Sequence, residues 1–226
     1  MLITCKCIIL KKIIVVNLLN KNFILDLLKL ICYILFVLVH IVQWRIIMIE
    51  LKNLSKAFGK DKQVIKNLNC TIPDNAIYGL VGANGAGKST LLRLICSIYE
   101  PDKGELLIDN VNSFDNEDIK ENIVFIPDDL FFFNNYNLID TAKFYQSFYK
   151  DFDLEFVKNE AKLLKLDISK PISSFSKGMK RQCALLCAIA CNTKYLFFDE
   201  TFDGLDPVIR KHFKDLLIKQ MTKQDT

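Results

Sequence analysis

One short stretch constrains the fold of this chain more than any other feature of the sequence. Residues 82–90 read GANGAGKST, which fits the pattern G-x-x-x-x-G-K-[ST]. An apolar run, IYGLV, stands directly before it at 77–81, and a helical pattern, LLRLICSIY, follows at 91–99. We therefore predict a buried strand over 77–81, then a glycine-rich loop, then a helix, which is the context in which this pattern binds phosphate.

The residue types of this loop explain the predicted chemistry. Glycines let the backbone curl so that successive N–H groups point at phosphate oxygens, and the N-terminus of the following helix adds its positive dipole. Lys88 is placed to reach the β- and γ-phosphates, and the Ser89 hydroxyl is placed to bind Mg²⁺. A purely structural turn would leave Lys88 without a role, so we predict a nucleotide site.

A second element carries two acids. The sequence YLFF at 195–198 predicts a core strand, and Asp199 and Glu200 follow it directly. Asp199 is placed to hold Mg²⁺ through water or through Ser89. Glu200 is placed to polarise an attacking water as a general base. The alternative is an acidic cap at the end of a strand.

A third loop opens a helix. The run FSKGMKRQ at 175–182 precedes CALLCAIACN at 183–192. Ser176 and Gly178 stand at the start of this helix, where free N–H groups and a hydroxyl converge in a way that favours an anion. Alone, this pattern is more typical of an ordinary helix cap; its position between the glycine-rich loop and the acidic strand end favours phosphate.

Length and charge limit the remaining function classes. The 226 residues are enough to bury a full α/β core. The formal net charge of +4 comes from residues 1–48, because residues 49–226 hold 24 Lys and Arg against 25 Asp and Glu. Nothing in this nearly neutral body predicts a nucleic-acid-binding surface.

The N-terminal stretch 1–47 is apolar and basic, and its interpretation stays open. Its longest uncharged run, 30–44, is shorter than the roughly 20 residues that span a bilayer, although 46–49 could extend it. The stretch is an over-extended translation start before Met48, a membrane segment at about 30–47, or a packed helix. Lysines before the run would hold the N-terminus in the cytoplasm and place the body outside, away from cytosolic nucleotide.

Three cysteines recur at helical spacing. Cys183, Cys187 and Cys191 would share one face of the helix that follows the third loop, which admits a metal-binding interpretation. Small buried apolar side chains are the favoured interpretation, because alanines accompany them. We expect all eight cysteines of the chain to be reduced in a cytosolic protein.

The order of these motifs resembles that of the ATP-binding subunits of ABC transporters, over residues 48–226. GANGAGKST resembles the Walker A loop, YLFFDE the Walker B strand and FSKGM the signature motif, while Gly204–Asp206 is similar to the D-loop. Phe58 matches the position at which the family stacks an aromatic ring on adenine. More loosely, SKGMKRQ and DETFDGLDP resemble subunits of drug, antibiotic or peptide exporters.

The resemblance implies an α/β fold, with a P-loop core, an antiparallel β arm and a helical subdomain at about 128–185. It implies an ATPase that binds ATP and Mg²⁺, pairs with a second ABC ATPase subunit, and drives transmembrane permease subunits from the cytoplasmic face of the membrane. Ser176 and Gly178 would cover the ATP of the partner subunit. The implied ATP contacts are Phe58, Gly82, Asn84, Gly85, Ala86, Gly87, Lys88, Ser89, Thr90, Asp128, Ser176, Gly178 and Asp206; Ser89 and Asp199 hold Mg²⁺, and Glu200 is the base.

The sequence departs from the family at three places. Asp128 stands where the family usually has the glutamine of the Q-loop, and the signature has Lys177 for a glycine and Met179 for a glutamine. The family's switch histidine would lie on a strand after the helix that begins near 207. The sequence stops before such a strand, so we expect the last core strands and this histidine to be missing. His212 falls inside the helix and is expected to be solvated.

These departures leave a second function open, a truncated or degenerate module that binds ATP without hydrolysing it. An aromatic patch, Phe131 to Phe133 with Tyr136, is either core or a contact surface for a membrane partner. We favour the contact surface.

Overall fold

The computed structural model describes residues 48–59, 62–73 and 76–224. The interpretations given for 1–47 lie outside the described residues. Among the helices of the described ranges, none is both long enough and apolar enough to cross a membrane.

An antiparallel sheet of four strands forms one side of the fold. Its strands are β1 (Met48–Phe58), β2 (Lys62–Pro73), β3 (Lys103–Ile108) and β4 (Val111–Asn112), in the order β2-β1-β3-β4. The predicted hairpin of alternating apolar and polar residues is confirmed, because β1 and β2 pair antiparallel from Met48 opposite Pro73 to Phe58 opposite Lys62. Its apolar face is buried, with Leu54 fully inaccessible to solvent.

Gly104 of β3 lies very close to the β1 backbone, and this contact supplies a stability prediction. A Cβ at Gly104 would lie 2.3 Å from the Lys52 carbonyl oxygen, and its φ of +87° is one that other residues rarely adopt. We expect Gly104→Ala to lower the free energy of unfolding by at least about 2 kcal/mol, measured by urea denaturation. Gly79→Ala is the matched control, because no atom lies within 4 Å of its added Cβ. Equal stabilities of the two variants would contradict the prediction.

A parallel pair of strands divides two apolar cores. β5 (Ile123–Ile126) and β6 (Tyr195–Phe198) pair in register, Ile123 with Tyr195 through to Ile126 with Phe198. Successive side chains of a strand point to opposite faces. Ile123, Phe125, Tyr195 and Phe197 therefore pack with the antiparallel sheet, and the residues between them pack with the helices.

Besides the short 3₁₀ helix Ile172–Ser174, six α-helices complete the described fold. They are α1 (Lys88–Ile95), α2 (Glu117–Lys120), α3 (Leu138–Gln146), α4 (Leu154–Leu163), α5 (Lys177–Ala190) and α6 (Pro207–Gln224). α5 is the central helix of the second core, in contact with α3, α4, α6 and β5. Capping residues start the surrounding helices: Asn137 and Asp140 form a capping box at α3, and Asp153 caps α4.

The prediction of a buried strand over 77–81 is wrong. This segment forms no strand, and Ile77 and Val81 are 73% and 94% exposed. An apolar run becomes a buried strand only when a neighbouring strand pairs with it, and within the described part of the chain β5 and β6 form a sheet of two strands alone. The predicted core strand at 195–198 does form, but each of its four residues is only half-buried.

The helix predicted after Pro207 is confirmed as α6, and His212 differs from its predicted solvated state. Its Nε2 lies 2.7 Å from Glu160 Oε2 of α4, and its side chain is 33% exposed. His212 therefore joins α6 to α4. The next residue, Phe213, is fully buried in the helical core.

Candidate functional site

The glycine-rich loop, the aromatic end of β1 and the acidic end of β6 meet at one cavity of about 500 Å³. This volume is within the range of cavities that bind cofactor-sized ligands. The lining residues are Phe58, Val64, Asn84, Gly85, Gly87, Lys88, Ser89, Thr90, Arg93, Tyr99 and Glu200. The structure thus brings together eight of the residues that the sequence assigned to the nucleotide site.

The loop owes its shape to glycines in the left-handed region. Gly85 and Gly87 have φ values of +79° and +94°, and the Ala86 N–H donates to the Ala83 carbonyl. Gly87 stands at the N-cap of α1, without a side-chain cap on its N–H groups. Lys88 Nζ donates to the Gly82 and Ala83 carbonyls at 2.9 and 3.1 Å, so the ammonium group lies against the loop at the cavity.

An aromatic wall closes the other side of the cavity. The Phe58 and Tyr99 rings meet edge-to-face with centroids 5.5 Å apart, and Phe58 is 41% exposed. The Arg93 guanidinium lies 5.9 Å from the Tyr99 ring centroid, and Nη1 is 3.5 Å from the Tyr99 hydroxyl. Tyr99 and Arg93 were not predicted from sequence. The sequence weakly indicates Arg93 as a site residue, because it lies five residues after Lys88 on the same helix. The position of Tyr99 depends on the turn after α1, which the sequence pattern does not predict.

The two acidic residues after β6 lie in different environments, one at the cavity and one in the interior. Glu200 lines the cavity and is exposed, with a φ of +51°, a backbone conformation that non-glycine residues adopt at an energetic cost. Asp199 is only 4% exposed, and its N–H donates to the Ile126 carbonyl at 2.9 Å, which extends the ladder between β5 and β6. The strand end therefore presents one carboxylate to the cavity and holds the other in the interior.

The donor set around the cavity fits Mg²⁺ accompanied by a nucleotide. Mg²⁺ is usually held by one or two carboxylates, with phosphate oxygens and water completing its octahedron. Ser89 supplies a hydroxyl and Glu200 a carboxylate at the cavity, whereas Asp199, at the same strand end, is buried and does not line it. In the described ranges, no group of three or more His, Cys, Asp or Glu forms a cation site.

The remaining predicted residues lie away from the cavity lining. Ser176 caps α5 by accepting from the Met179 N–H at 3.2 Å, and a Cβ on Gly178 would lie 3.5 Å from the Gly204 carbonyl. Asp206 caps α6, its Oδ1 accepting from the N–H groups of residues 208 and 209 at 3.0 Å. Asp128 pairs with Arg181. Gly82 and Ala86 belong to the loop but do not line the cavity, and the Cβ position of Gly82 lies 3.5 Å from the Ala86 side chain.

Comparison with known proteins decides the family. The family model described as "ABC transporter" matches residues 65–203, which is more than half of the chain. This chain belongs to the ABC transporter family. The fold and the order of the motifs along this chain agree with this assignment.

Individual relatives agree with the family. The ABC chain is 32% identical over 179 residues to the ABC transporter ATP-binding protein YtrB of Bacillus subtilis (strain 168), covering 79% of this chain and 61% of YtrB. It is 34% identical over 193 residues to the methionine import ATP-binding protein MetN 1 of Listeria innocua, covering 76% of this chain and 55% of MetN 1. The chain thus spans little more than half the length of these relatives.

A solved structure has the same fold. The chain titled "Structure of ATP binding subunit of ABC transporter" superposes with a TM-score of 0.70 at 25% identity, covering 78% of this chain and 75% of that one. The predicted α/β P-loop architecture of ABC ATPases is therefore confirmed.

The aromatic wall of the ABC chain supplies a prediction about nucleotide affinity. Because Tyr99 supports the Phe58 ring, we expect Tyr99→Ala to weaken ATP binding roughly 2- to 10-fold, from the 0.5–1.5 kcal/mol typical of such ring pairs. Isothermal titration with ATP measures this effect. Tyr99→Phe, which keeps the ring, is expected to bind like the parent, and Tyr136→Ala controls for loss of a tyrosine elsewhere. Equal affinities of Tyr99→Ala and the parent would contradict a role for this ring.

The three cysteines at helical spacing are part of the helical core of the ABC chain. Cys183, Cys187 and Cys191 are at most 2% exposed, and the Cys191 thiol donates to the Cys187 carbonyl. Burial raises the pKa of Cys183 to about 12, and it raises the pKa of Cys187 and of Cys191 well above the ordinary range. These thiols pack as small apolar groups.

Their burial predicts the order of thiol labelling. Among the cysteines of the described residues, Cys70 is half-buried, whereas Cys96 is buried with its pKa raised by desolvation, like the three on α5. Because thiolate is the reactive form, we expect iodoacetamide to label Cys70 first and the four buried cysteines only after addition of denaturant. Peptide mapping by mass spectrometry measures the order. Early labelling of Cys187 in native protein would contradict this packing.

Proposed function

We propose that this chain is an ATP-hydrolysing subunit that powers an ABC transporter. The observation that carries the proposal is the single cavity at which Phe58, the loop 84–90 and Glu200 meet. An aromatic face can stack on adenine, a phosphate loop with a lysine can bind the phosphates, and a carboxylate can orient the attacking water, and one cavity holds all three groups.

The proposed chemistry follows from the placement of these groups. The Phe58 ring stacks on adenine, the N–H groups of residues 85–90 and the Lys88 ammonium bind the phosphates, and this fixes the γ-phosphate near the end of β6. Glu200 accepts a proton from the water that attacks the γ-phosphorus. Ser89 and Asp199 would hold Mg²⁺, which neutralises charge that develops on the phosphates.

A second subunit and a membrane partner complete the proposed assembly. Ser176 and Gly178 lie away from the cavity of their own chain, which supports the proposal that they cover the ATP of a partner ATPase subunit. In this arrangement ATP closes the dimer and hydrolysis reopens it, a switch that moves transmembrane permease subunits. The chain then acts at the cytoplasmic face of the membrane.

The aromatic patch supports a protein contact surface on this assembly. Phe131 is 79% exposed, while Phe133 and Tyr136 are partly exposed and Phe132 packs on the helical core. The patch continues through edge-to-face contacts from Phe133 to Phe144, centroids 5.0 Å apart, so it is larger than the sequence indicated. We propose this patch as the contact with the permease subunits.

We further propose limits for the domain and a direction of transport. The domain is proposed to span 48–226, with 1–47 as an extension and a helical subdomain at about 128–185. The likeness of 176–182 and 199–207 to exporter subunits supports export, although MetN 1 is by its name an import protein.

The second candidate function is an ATP-binding module without turnover. Segment 77–81 favours this second function, because it leads directly into the phosphate loop but is exposed and pairs with no strand in the described part of the chain, so it does not fix the position of the loop. Imprecise placement of the loop would reduce hydrolysis far more than binding.

ATP turnover by the full chain separates the two functions. Phosphate release at saturating Mg²⁺·ATP is compared with equilibrium binding of ATP to the same preparation. Turnover that Lys88→Ala removes supports the ATPase. Binding without turnover supports the module, and an absence of saturable binding would overturn both.

A further inference from the structure

A buried arginine joins three segments around the proposed site. Arg181 of α5 is only 4% exposed. Its Nη2 donates to Asp128 Oδ1 at 2.6 Å, and its Nη1 donates to the Asp203 carbonyl oxygen. Asp128 follows β5 and Asp203 follows β6, so one guanidinium ties the ends of two neighbouring strands to the helix of the third loop.

The loop after β6 fits closely around this guanidinium. Gly204 has a φ of +72°, and a Cβ there would lie 3.2 Å from Arg181 Nη1, which leaves little room for a side chain. On its other side, the Gly204 carbonyl oxygen is 3.5 Å from the Cβ position of Gly178. The backbone at 203–204 therefore packs against two residues of α5, the backbone of Gly178 and the guanidinium of Arg181.

The same loop carries Glu200. The Asp203 N–H donates to the Glu200 carbonyl at 3.0 Å, so the residue that Arg181 holds closes the turn that begins at Glu200. Glu200 has a φ of +51°, a conformation that persists only where the surroundings determine it. Arg181 is positioned to supply that constraint.

The charge of Asp128 is part of this arrangement. A buried guanidinium is stable only when its donors are satisfied and its charge is offset. Among the described residues, Asp128 supplies the one carboxylate paired with Arg181, and it lies at the position where the family usually has a neutral glutamine. Asp128, Asp129 and Arg181 line a second cavity of about 400 Å³, in which the ion pair is made by Asp128 and not by Asp129.

From these contacts we infer that Arg181 and Asp128 form a positioning pair, which sets the loop 199–206 and thereby the orientation of Glu200. The inference concerns residues that do not line the nucleotide cavity and act through the loop. It rests on the proposed function for the role of Glu200. The geometry of the loop itself is independent of that role.

Two measurements on Asp128→Asn test the pair, with Asp129→Asn as the matched control. Hydrogen exchange of peptides covering 199–206 reports on the loop whether or not the chain turns over ATP. We expect Asp128→Asn to raise exchange there about 10-fold, because the amide keeps an acceptor oxygen but loses the charge that offsets the buried guanidinium, with exchange in β1–β2 unchanged. Asp129→Asn is expected to match the parent.

Kinetics then distinguish positioning from a general loss of structure. We expect Asp128→Asn to lower kcat about 10-fold while the Kd for ATP changes less than 2-fold, because every cavity residue is retained. Arg181→Lys, which keeps the charge but loses the forked geometry, is expected to have the same effect, and the double variant is expected to be no worse than either single variant.

Each outcome decides the inference. Unchanged exchange at 199–206, or equal kcat for Asp128→Asn and Asp129→Asn, would overturn it, as would a parallel loss of kcat and ATP affinity. If the parent binds ATP without turnover, the proposed hydrolysis fails, and the exchange result alone then supports or overturns the pair.

Discussion

Glu200→Gln is expected to lower ATP turnover by about 10²- to 10⁴-fold while ATP binding is retained, as for loss of a general base. The reason is that glutamine has the shape of glutamate but cannot accept a proton from water, and Glu200 is the carboxylate that lines the cavity. Steady-state phosphate release and equilibrium binding of ATP measure the two effects separately. ATP-dependent dimers of this variant are expected to live longer than those of the parent, because hydrolysis no longer reopens them.

The control for this prediction is Glu121→Gln. Glu121 is exposed at the end of α2, outside the cavity lining, and the substitution removes the same charge. If Glu200→Gln turns over ATP like Glu121→Gln, or if its dimers are no longer-lived than the parent's, then Glu200 is not the base.

Lys88→Ala is expected to weaken ATP binding roughly 10- to 150-fold, which corresponds to the 1.5–3 kcal/mol of a hydrogen bond to a charged group. The Lys88 ammonium lies against the carbonyls of Gly82 and Ala83 at the cavity, within the loop that is proposed to bind the phosphates. Isothermal titration with Mg²⁺·ATP measures the change, and thermal denaturation checks that the fold is retained.

Adenosine extends this test of Lys88. Because adenosine has no phosphates, its affinity is expected to be the same in Lys88→Ala and the parent. Lys66→Ala, an exposed lysine of β2, is the matched control and is expected to bind ATP normally. An ATP affinity for Lys88→Ala within 2-fold of the parent would contradict the role of the loop.

Much of the site could be predicted because its residues are adjacent in sequence. Residues 82–90 form one loop and the first residues of α1, and Glu200 is the second residue after β6, so their types and spacing predict that they lie near phosphate. The hairpin of β1 and β2 is likewise local, with alternation that fixes its buried face. The structure confirms the hairpin, the helix after the loop and the strand before the two acids, while the roles of the site residues stay predictions.

Features that depend on distant partners could not be predicted. Asp128 and Arg181 are 53 residues apart, and only the meeting of β5, β6 and α5 brings them together. The position of Tyr99 beside Phe58 depends on the turn after α1. The apolar pattern of 77–81 predicted a buried strand, but burial depends on a pairing partner, which the pattern does not report.

Photolabelling with 8-azido-ATP is the most direct test of the central claim that the cavity at 84–90 binds ATP between the loop and the aromatic wall. The label attaches to residues near the adenine, and peptide mapping identifies them. We expect labelled peptides that contain Phe58 or Tyr99, with labelling abolished by excess unlabelled ATP and reduced in Lys88→Ala. Labelling confined to peptides outside the cavity, or labelling that ATP does not compete, would contradict the account.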